Sequence, residues 1–132
     1  MADSDTKLFN TVPERDYLSF FPKGASEPNA ESVVGLLELK KDDVSKATGV
    51  KVGSIRYDER IPPELSKRIR EWAILLNLVA GHFQGDVQKT TLWFKMPNPL
   101  LGNMSPRDMI RYGRFQKLLR FVLEALSDRE RR

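Results

Sequence analysis

The sequence predicts an all-α protein, and two observations carry that prediction. Apolar residues recur at steps of three and four along several segments, which is the spacing of one face of a helix. No segment combines apolar–polar alternation with the turn residues that bound strands, so no sheet is expected. At 132 residues, of which 40% are hydrophobic, the chain can form one domain or two very small domains that share a core.

The longest predicted helix begins at Pro63 and carries a continuous apolar stripe. The members of that stripe are Leu65, Ile69, Trp72, Leu76, Val79 and Phe83. Shorter helices are predicted over 31–39, 41–48, 52–60, 86–95, 106–112 and 114–128. Asp86 and Ser105 are suitable N-caps, Pro106 suits the first helical position, and Gly49 suits a C-cap.

Residues 1–29 differ from the rest of the chain. They are polar, net acidic and interrupted by proline and glycine, so they predict a mostly flexible arm. The aromatic cluster at 17–21, with sequence YLSFF, is the exception. We expect it to dock on the chain's own core, with docking on a partner as the alternative.

Composition restricts the classes of function. The net charge is +4, and residues 102–132 hold eight basic and four acidic residues, which suits an acidic protein partner or nucleic acid. The chain has no cysteine, one histidine (His82) and no apolar run of membrane-spanning length, so a cytoplasmic protein without a metal or cofactor is expected. Neighbouring carboxylates such as Asp42 and Asp43 diverge by about 100° on a helix, so they do not predict a catalytic pair. An enzyme is not expected.

Residues 41–60 have the spacing of a helix-turn-helix unit. Val44 and Ser45 suit the helix crossing, Gly49 the turn, and Val50 and Ile55 the apolar anchors. In that arrangement the second helix enters the major groove of DNA. The residues placed near bases or phosphates would be Lys51, Ser54, Arg56, Tyr57 and Arg60. Asp58 stands where such units usually have an apolar residue, so an unrelated helix pair is the alternative.

Residues 93–113, with sequence WFKMPNPLLGNMSPRDMIRYG, join a turn to a new helix. Pro97 and Pro99 fix φ and interrupt helical structure, and Asn98 can bond the local backbone. Gly102 permits the positive φ that ends a turn. Ser105 then begins the next helix.

This stretch resembles the C-terminal signature of the MbcA/ParS/Xre antitoxin family. The resemblance covers about residues 79–126 and is carried by Trp93, Pro97, Asn98, Pro99, Leu100, Gly102, Pro106, Asp108 and Gly113. A looser resemblance covers about residues 33–62. The arm over 1–29 is not covered by the resemblance. After it, the resemblance implies a helix-turn-helix-like domain over 30–62, a connecting helix over 63–84 and a toxin-binding domain over 79–132.

The resemblance implies an antitoxin of a type II toxin–antitoxin pair. Such a protein dimerises, blocks the active-site entrance of a RES-domain toxin that consumes NAD, and in many cases represses its own operon. The implied toxin-facing residues are Pro97, Asn98, Pro99, Leu100, Gly102, Arg107, Arg111, Arg114, Arg129, Arg131 and Arg132. The chain departs from the family pattern at Asn103, where a second glycine is common, and in its charged C-terminus.

Two other functions compete with the antitoxin hypothesis. A stand-alone helix-turn-helix regulator would bind its own upstream DNA with strong dependence on salt. A protein-interaction adaptor would keep the fold without a toxin partner. A homodimer and the absence of membrane association are expected in each case.

Overall fold

The computed structural model of the protein describes residues 15–130 and, within that range, the side chains of residues 15–128. The described residues form six α-helices and no strand, in agreement with the predicted all-α class. The helices are α1 (Ala30–Leu36), α2 (Lys41–Thr48), α3 (Pro63–His82), α4 (Val87–Lys95), α5 (Pro106–Arg111) and α6 (Phe115–Glu130). Single 3-10 turns lie at Val52–Ser54 and Pro99–Leu101.

The helix ends follow the local signals in the sequence. Asp86 accepts a hydrogen bond from the backbone N–H of Lys89, and Ser105 accepts one from Asp108, so both predicted N-caps are confirmed. Gly49 ends α2 in the left-handed conformation, as predicted. An unsatisfied N–H at a helix start is costly, which is why these short polar side chains decide where α4 and α5 begin.

Helix α3 lies at the centre of the fold. It contacts α1, α2, α4 and α6. Ten consecutive residues from Glu71 to Ala80 include only one, Leu78, that is not buried. A helix that is buried nearly all round must be enclosed by other elements, and here the other helices and the arm enclose it. The buried apolar residues consequently form one hydrophobic core, whose members come from the whole described chain between Phe20 and Val122.

The aromatic cluster of the arm docks on the chain's own core, as expected. Phe20 is 2% exposed. The Asp16 carboxylate accepts hydrogen bonds from the backbone N–H groups of Phe20 and Phe21 and from the side-chain amide of Asn77 in α3. The Asn77 carbonyl oxygen accepts a bond from the backbone of Leu18, so this buried amide is satisfied on both sides. Residues 1–14 of the predicted arm lie outside the described residues.

The prediction of a helix over 52–60 is wrong. The segment contains only the 3-10 turn at Val52–Ser54, and Ile55 already has extended geometry, with φ −77° and ψ 118°. Burial then alternates, because Ile55 is buried, Arg56 is exposed and Tyr57 is half-buried. Ile55 and Tyr57 therefore both face the core, as alternate residues of an extended segment do. In a helix, residues two positions apart point in different directions and would not both face the core. The predicted recognition helix therefore does not form.

None of the helices within residues 15–130 combines the length and the apolar character that crossing a bilayer requires.

We expect Gly85→Ala to lower the free energy of unfolding by about 1–2 kcal/mol, because Gly85 has φ +82° and an alanine there is strained in the left-handed region. An added Cβ would also stand 3.2 Å from Cδ1 of Tyr17. Urea denaturation measures the change. Gly35→Ala is the matched control, since a Cβ at Gly35 meets nothing within 4 Å. It should be neutral or slightly stabilising, and equal effects of the two substitutions would contradict the argument.

Candidate partner-binding site

The loop between α4 and α5 is closed by one asparagine. The side-chain oxygen of Asn98 accepts a hydrogen bond from the backbone N–H of Leu100. The backbone carbonyl of Asn98 accepts hydrogen bonds from the backbone N–H groups of Leu101 and Asn103. Its own N–H donates to the carbonyl of Met104, which forms an isolated antiparallel bridge. Asn98 thus holds both ends of the loop, as its predicted turn role requires.

Two successive residues in this loop have positive φ. Gly102 has φ 68° and Asn103 has φ 65°. Glycine adopts this conformation without strain, and asparagine tolerates it better than most residues with a side chain. The Asn103 that departs from the family pattern is therefore compatible with the same backbone path. We call residues 97–104 the Asn98 turn.

The Asn98 turn presents apolar side chains to solvent. Leu100 is 78% exposed, and Leu92 in α4 and Met96, the residue that follows α4, are each more than half exposed. The backbone that carries Leu100 is held by the bonds to Asn98, so little conformational entropy remains to be lost when Leu100 is covered. Exposed apolar side chains grouped in this way are typical of a contact surface.

A cleft of about 210 Å³ opens beside the Asn98 turn. It lies between the end of α3, helix α4, the turn and the second half of α6. Its lining is mostly apolar and consists of Val79, His82, Phe83, Trp93, Asn98, Leu100, Phe121, Val122, Ala125 and Leu126. A cleft with aromatic walls and few polar groups suits an apolar side chain of a partner better than a charged metabolite.

Two residues that the sequence analysis did not assign to a binding site line this cleft. Trp93 is half-buried, with its ring edge-on to Phe94 at a centroid distance of 5.0 Å. His82 is exposed, with its ring edge-on to Phe83. The sequence signal for the cleft was the apolar side chains of α4 and the turn, such as Leu92, which exceed what one core-facing stripe needs.

Arg107 was predicted to face a toxin, but its guanidinium is used within the chain. It donates hydrogen bonds to the backbone carbonyls of Leu37 and Glu38, at the end of α1. The last carbonyls of a helix have no partner within it, and an arginine that donates to them stabilises the helix end. Arg107 therefore joins α5 to α1.

Arg111 is likewise engaged. It donates to Asp43 in α2, with Nε and Oδ1 3.1 Å apart, and to Asp108 in α5, at 2.8 Å. Burial raises the pKa of Asp43, but the backbone N–H of Lys40 and the guanidiniums of Arg111 and Arg107 outweigh it, so the pKa lies below its ordinary value of 3.8. We call Arg107, Arg111, Asp43 and Asp108 the arginine brace.

Arg114 is the third predicted toxin-facing cation whose side chain the structure describes. Arg114 is exposed just before α6, and no carboxylate within residues 15–128 pairs with it. The side chain of Arg129, together with Arg131 and Arg132, lies outside the described residues. Pro97, Pro99 and Gly102 are exposed on the Asn98 turn. The structure therefore brings the turn residues together and assigns Arg107 and Arg111 to a different task.

The predicted DNA-contacting residues lie on the connection between α2 and α3, which contains the 3-10 turn and no α-helix. Lys51, Ser54 and Arg60 are exposed. Arg56 forms two hydrogen bonds with the Asp58 carboxylate, so its charge is compensated. The Tyr57 hydroxyl is buried without a hydrogen-bond partner in the described part of the chain.

Three carboxylates lie beside that segment. A second cleft, of about 230 Å³, is lined by Glu27, Asp58 and Glu59 together with Tyr57 and apolar residues. Carboxylates repel the phosphates of DNA, so this cleft does not favour DNA, although Lys51 and Arg60 on the neighbouring segment are exposed.

No protein-family model matches the chain, and comparisons with curated proteins and with solved structures also gave no match.

Loss of Arg107 should destabilise the fold, because the substitution Arg107→Ala removes the donor to the partly buried carbonyl of Leu37 and to the exposed carbonyl of Glu38. We expect the free energy of unfolding to fall by about 1.5–3 kcal/mol. Thermal and urea denaturation measure it. Arg114→Ala removes an exposed cation next to the same helix pair and should change stability by less than about 0.5 kcal/mol. A neutral Arg107→Ala would show that the brace is not stabilising.

Acidification should remove the contribution of the Asp43 carboxylate to the free energy of unfolding. The side chain of Asp43 is 14% exposed. A carboxyl with a folded-state pKa below 3.8 stabilises the fold above pH 3.8, and that stabilisation is lost as the pH falls through the lower, folded-state value. At neutral pH the free energy of unfolding of the wild type should exceed that of Asp43→Asn by about 1–2 kcal/mol. This difference in stability should shrink below about pH 4.

Urea denaturation at several pH values tests the Asp43 prediction. Asp42→Asn is the matched control, because Asp42 is an exposed carboxylate in the same helical turn. It should change stability little at any of these pH values. A difference between wild type and Asp43→Asn that does not vary with pH would argue against the ion pair.

Proposed function

We propose that the protein is an antitoxin-like binding protein that neutralises a toxin of the RES, NAD-consuming type by covering its active-site entrance. The observation that carries the proposal is the Asn98 turn with Leu100 above the apolar cleft. The resemblance of residues 93–113 to the antitoxin signature supports the choice of partner. An inhibitor of this kind acts by occlusion and performs no catalysis.

Exposure of Leu100 at 78% is unfavourable in the free protein and favourable once a partner covers it. Burial of a leucine side chain contributes about 1.5–3 kcal/mol, which is enough for an anchor residue of an interface. The cleft beside it offers a concave surface with Trp93 and Phe121 as aromatic walls. We propose that the partner contacts Leu100 and inserts an apolar side chain into this cleft.

Charge contributes to the proposed interface less than the sequence implied. Arg107 and Arg111 hold the helix behind the Asn98 turn against α1 and α2, so they support the site from within. Arg114 is free to approach a carboxylate of the toxin. Rim charges of this kind accelerate association more than they strengthen the complex.

Operator binding and homodimer formation stay predictions from the sequence resemblance. The extended geometry after Val52–Ser54 leaves operator binding without the expected helix. The stand-alone DNA-binding regulator is therefore not our preferred alternative, and no other structural observation favours it.

Growth rescue tests the proposed function. The open reading frame adjacent to this gene is expressed alone and then with this chain, and cell growth and cellular NAD are measured. Rescue by the full chain is expected. Truncation after Gly102, which removes α5 and α6, should abolish it, because both helices contribute to the core beneath the cleft.

Leu100→Asp is the sharper variant, because Leu100 is exposed and its loss should not unfold the chain. We expect at least about a tenfold loss of affinity for the toxin, since a carboxylate replaces an apolar anchor. Val52→Asp is the matched control, at a valine that is 43% exposed outside the cleft, and it should keep wild-type affinity. Circular dichroism melts verify that both variants fold. Full rescue by Leu100→Asp would contradict the proposed contact.

A further inference from the structure

One face of the protein, formed by α2, α5 and the beginning of α6, carries cations that the fold does not use. Helix α5 contacts both α2 and α6, so it links those two helices across this face. Lys46 on α2 and Arg114 and Lys117 at the beginning of α6 are exposed. None of these three side chains forms an ion pair with a carboxylate of residues 15–128, so their charges are available to a partner.

The arginine brace connects these cations across α5. Asp43 bonds Arg111 with 3.1 Å between Oδ1 and Nε, and Lys46 follows Asp43 by one helical turn on the same face of α2. The guanidinium carbon of Arg111 lies 5.3 Å from the ring centroid of Tyr112. Arg114 is two residues beyond Tyr112, so their Cα atoms are within about 7.5 Å of each other. The surface from α2 to the beginning of α6 is therefore continuous. We call Lys46, Tyr112, Arg114 and Lys117 the basic face.

The basic face has an exposed aromatic ring between its cations. Tyr112 is 56% exposed, and it is the one exposed Phe, Tyr or Trp side chain within residues 15–128. Such exposure of a large ring is unfavourable in water unless a partner covers it. The guanidinium of Arg111 covers one side of the ring, in the geometry of a cation–π contact, and the exposed side is available for stacking. A planar partner that stacks on Tyr112 would therefore be held between two basic helices.

Cations exceed carboxylates on the basic face. The arginine brace is neutral, because its two guanidiniums are matched by two carboxylates. Asp42 is an exposed carboxylate on α2, and it offsets part of the charge of Lys46 one turn later. Three free cations against this carboxylate leave a net positive surface, which attracts phosphates.

We infer that the basic face binds single-stranded nucleic acid, with a base stacked on Tyr112 and phosphates paired with the three free cations. Every base has a flat face that can stack on an aromatic ring, so this contact needs no particular base sequence. The exposed ring favours a nucleic acid over an acidic protein segment, because a carboxylate gains nothing from stacking on it. In a duplex the bases are stacked on each other, so Tyr112 selects single strands.

Binding of a single strand goes beyond the proposed function. It requires neither Leu100 nor the apolar cleft, and it uses none of residues 51–60, which the sequence analysis assigned to operator DNA. Growth rescue depends on the Asn98 turn, whereas strand binding depends on Lys46, Tyr112 and Lys117. The two proposals therefore fail independently.

Fluorescence anisotropy with the full chain tests the inference. The probes are fluorescein-labelled oligothymidylate and oligouridylate of about 20 nucleotides, which show whether DNA, RNA or both are bound. We expect dissociation constants in the range of about 1–100 μM at physiological salt. Three phosphate contacts on a single strand predict that the logarithm of the affinity falls against the logarithm of salt concentration with a slope of about −2.

Substitutions separate the stacking contact from the phosphate contacts. Tyr112→Ala should weaken binding at least about fivefold without changing the salt slope, because stacking carries no net charge. Tyr112→Phe keeps the ring and should keep the affinity. Lys46→Ala combined with Lys117→Ala should reduce the slope to about −0.7, since one phosphate contact remains.

Matched controls lie outside the basic face. Leu92→Ala removes an exposed large apolar side chain and Lys67→Ala an exposed cation, and both should keep the affinity and the salt slope. Circular dichroism melts verify that every variant folds. Binding weaker than about 100 μM, or equal losses in the controls and in the variants of the basic face, would overturn the inference.

Two further probes identify other classes of partner. Duplex DNA that binds as tightly as the single strands, with no effect of Tyr112→Ala, would show phosphate attraction without stacking. A glutamate-rich peptide of about 20 residues that displaces the strands at equal charge concentration would show an acidic-protein surface. Either result would make the assignment to single strands wrong.

Discussion

The enclosure of α3 is the constraint on which the rest of the structure depends. From Glu71 to Ala80 this helix has almost no solvent-facing side, so every neighbouring element must supply a complementary apolar surface. The buried polar groups on it are satisfied individually: Glu71 pairs with Arg68, and Asn77 bonds the arm. The arm is therefore part of the packing around α3, because without it the amide of Asn77 would lose its partners.

The arginine brace shows why a count of charges does not identify a binding surface. Residues 102–132 are the most basic part of the chain, yet Arg107 and Arg111 direct their guanidiniums at α1 and α2. Arginine suits this task, since its planar donors reach two acceptors at once. The brace holds α5 against the N-terminal helices, and α5 in turn contacts α4 and α6, which form the walls of the cleft. The basic residues thus support the candidate site mainly from behind.

The candidate site combines a fixed backbone with exposed apolar side chains. Asn98 fixes the backbone, and Leu100 together with the aromatic walls of the cleft provides the surface to be covered. This combination lowers the entropy cost of binding while it leaves the hydrophobic gain available.

The sequence by itself determined the all-α class, the starts of α3, α4 and α5, and the form of the Asn98 turn. These depend on interactions between residues a few positions apart, such as an N-cap with the N–H three residues later or a proline with its own φ. Only the tertiary structure decided that residues 55–60 are not helical, that two arginines form a brace and that Trp93 lines a cleft. Arg111 and Asp43 are 68 positions apart and Arg107 and Leu37 are 70 apart, and no local pattern specifies which distant partner a side chain meets. Packing around α3 makes that choice, because it sets which surfaces are brought together and which remain open.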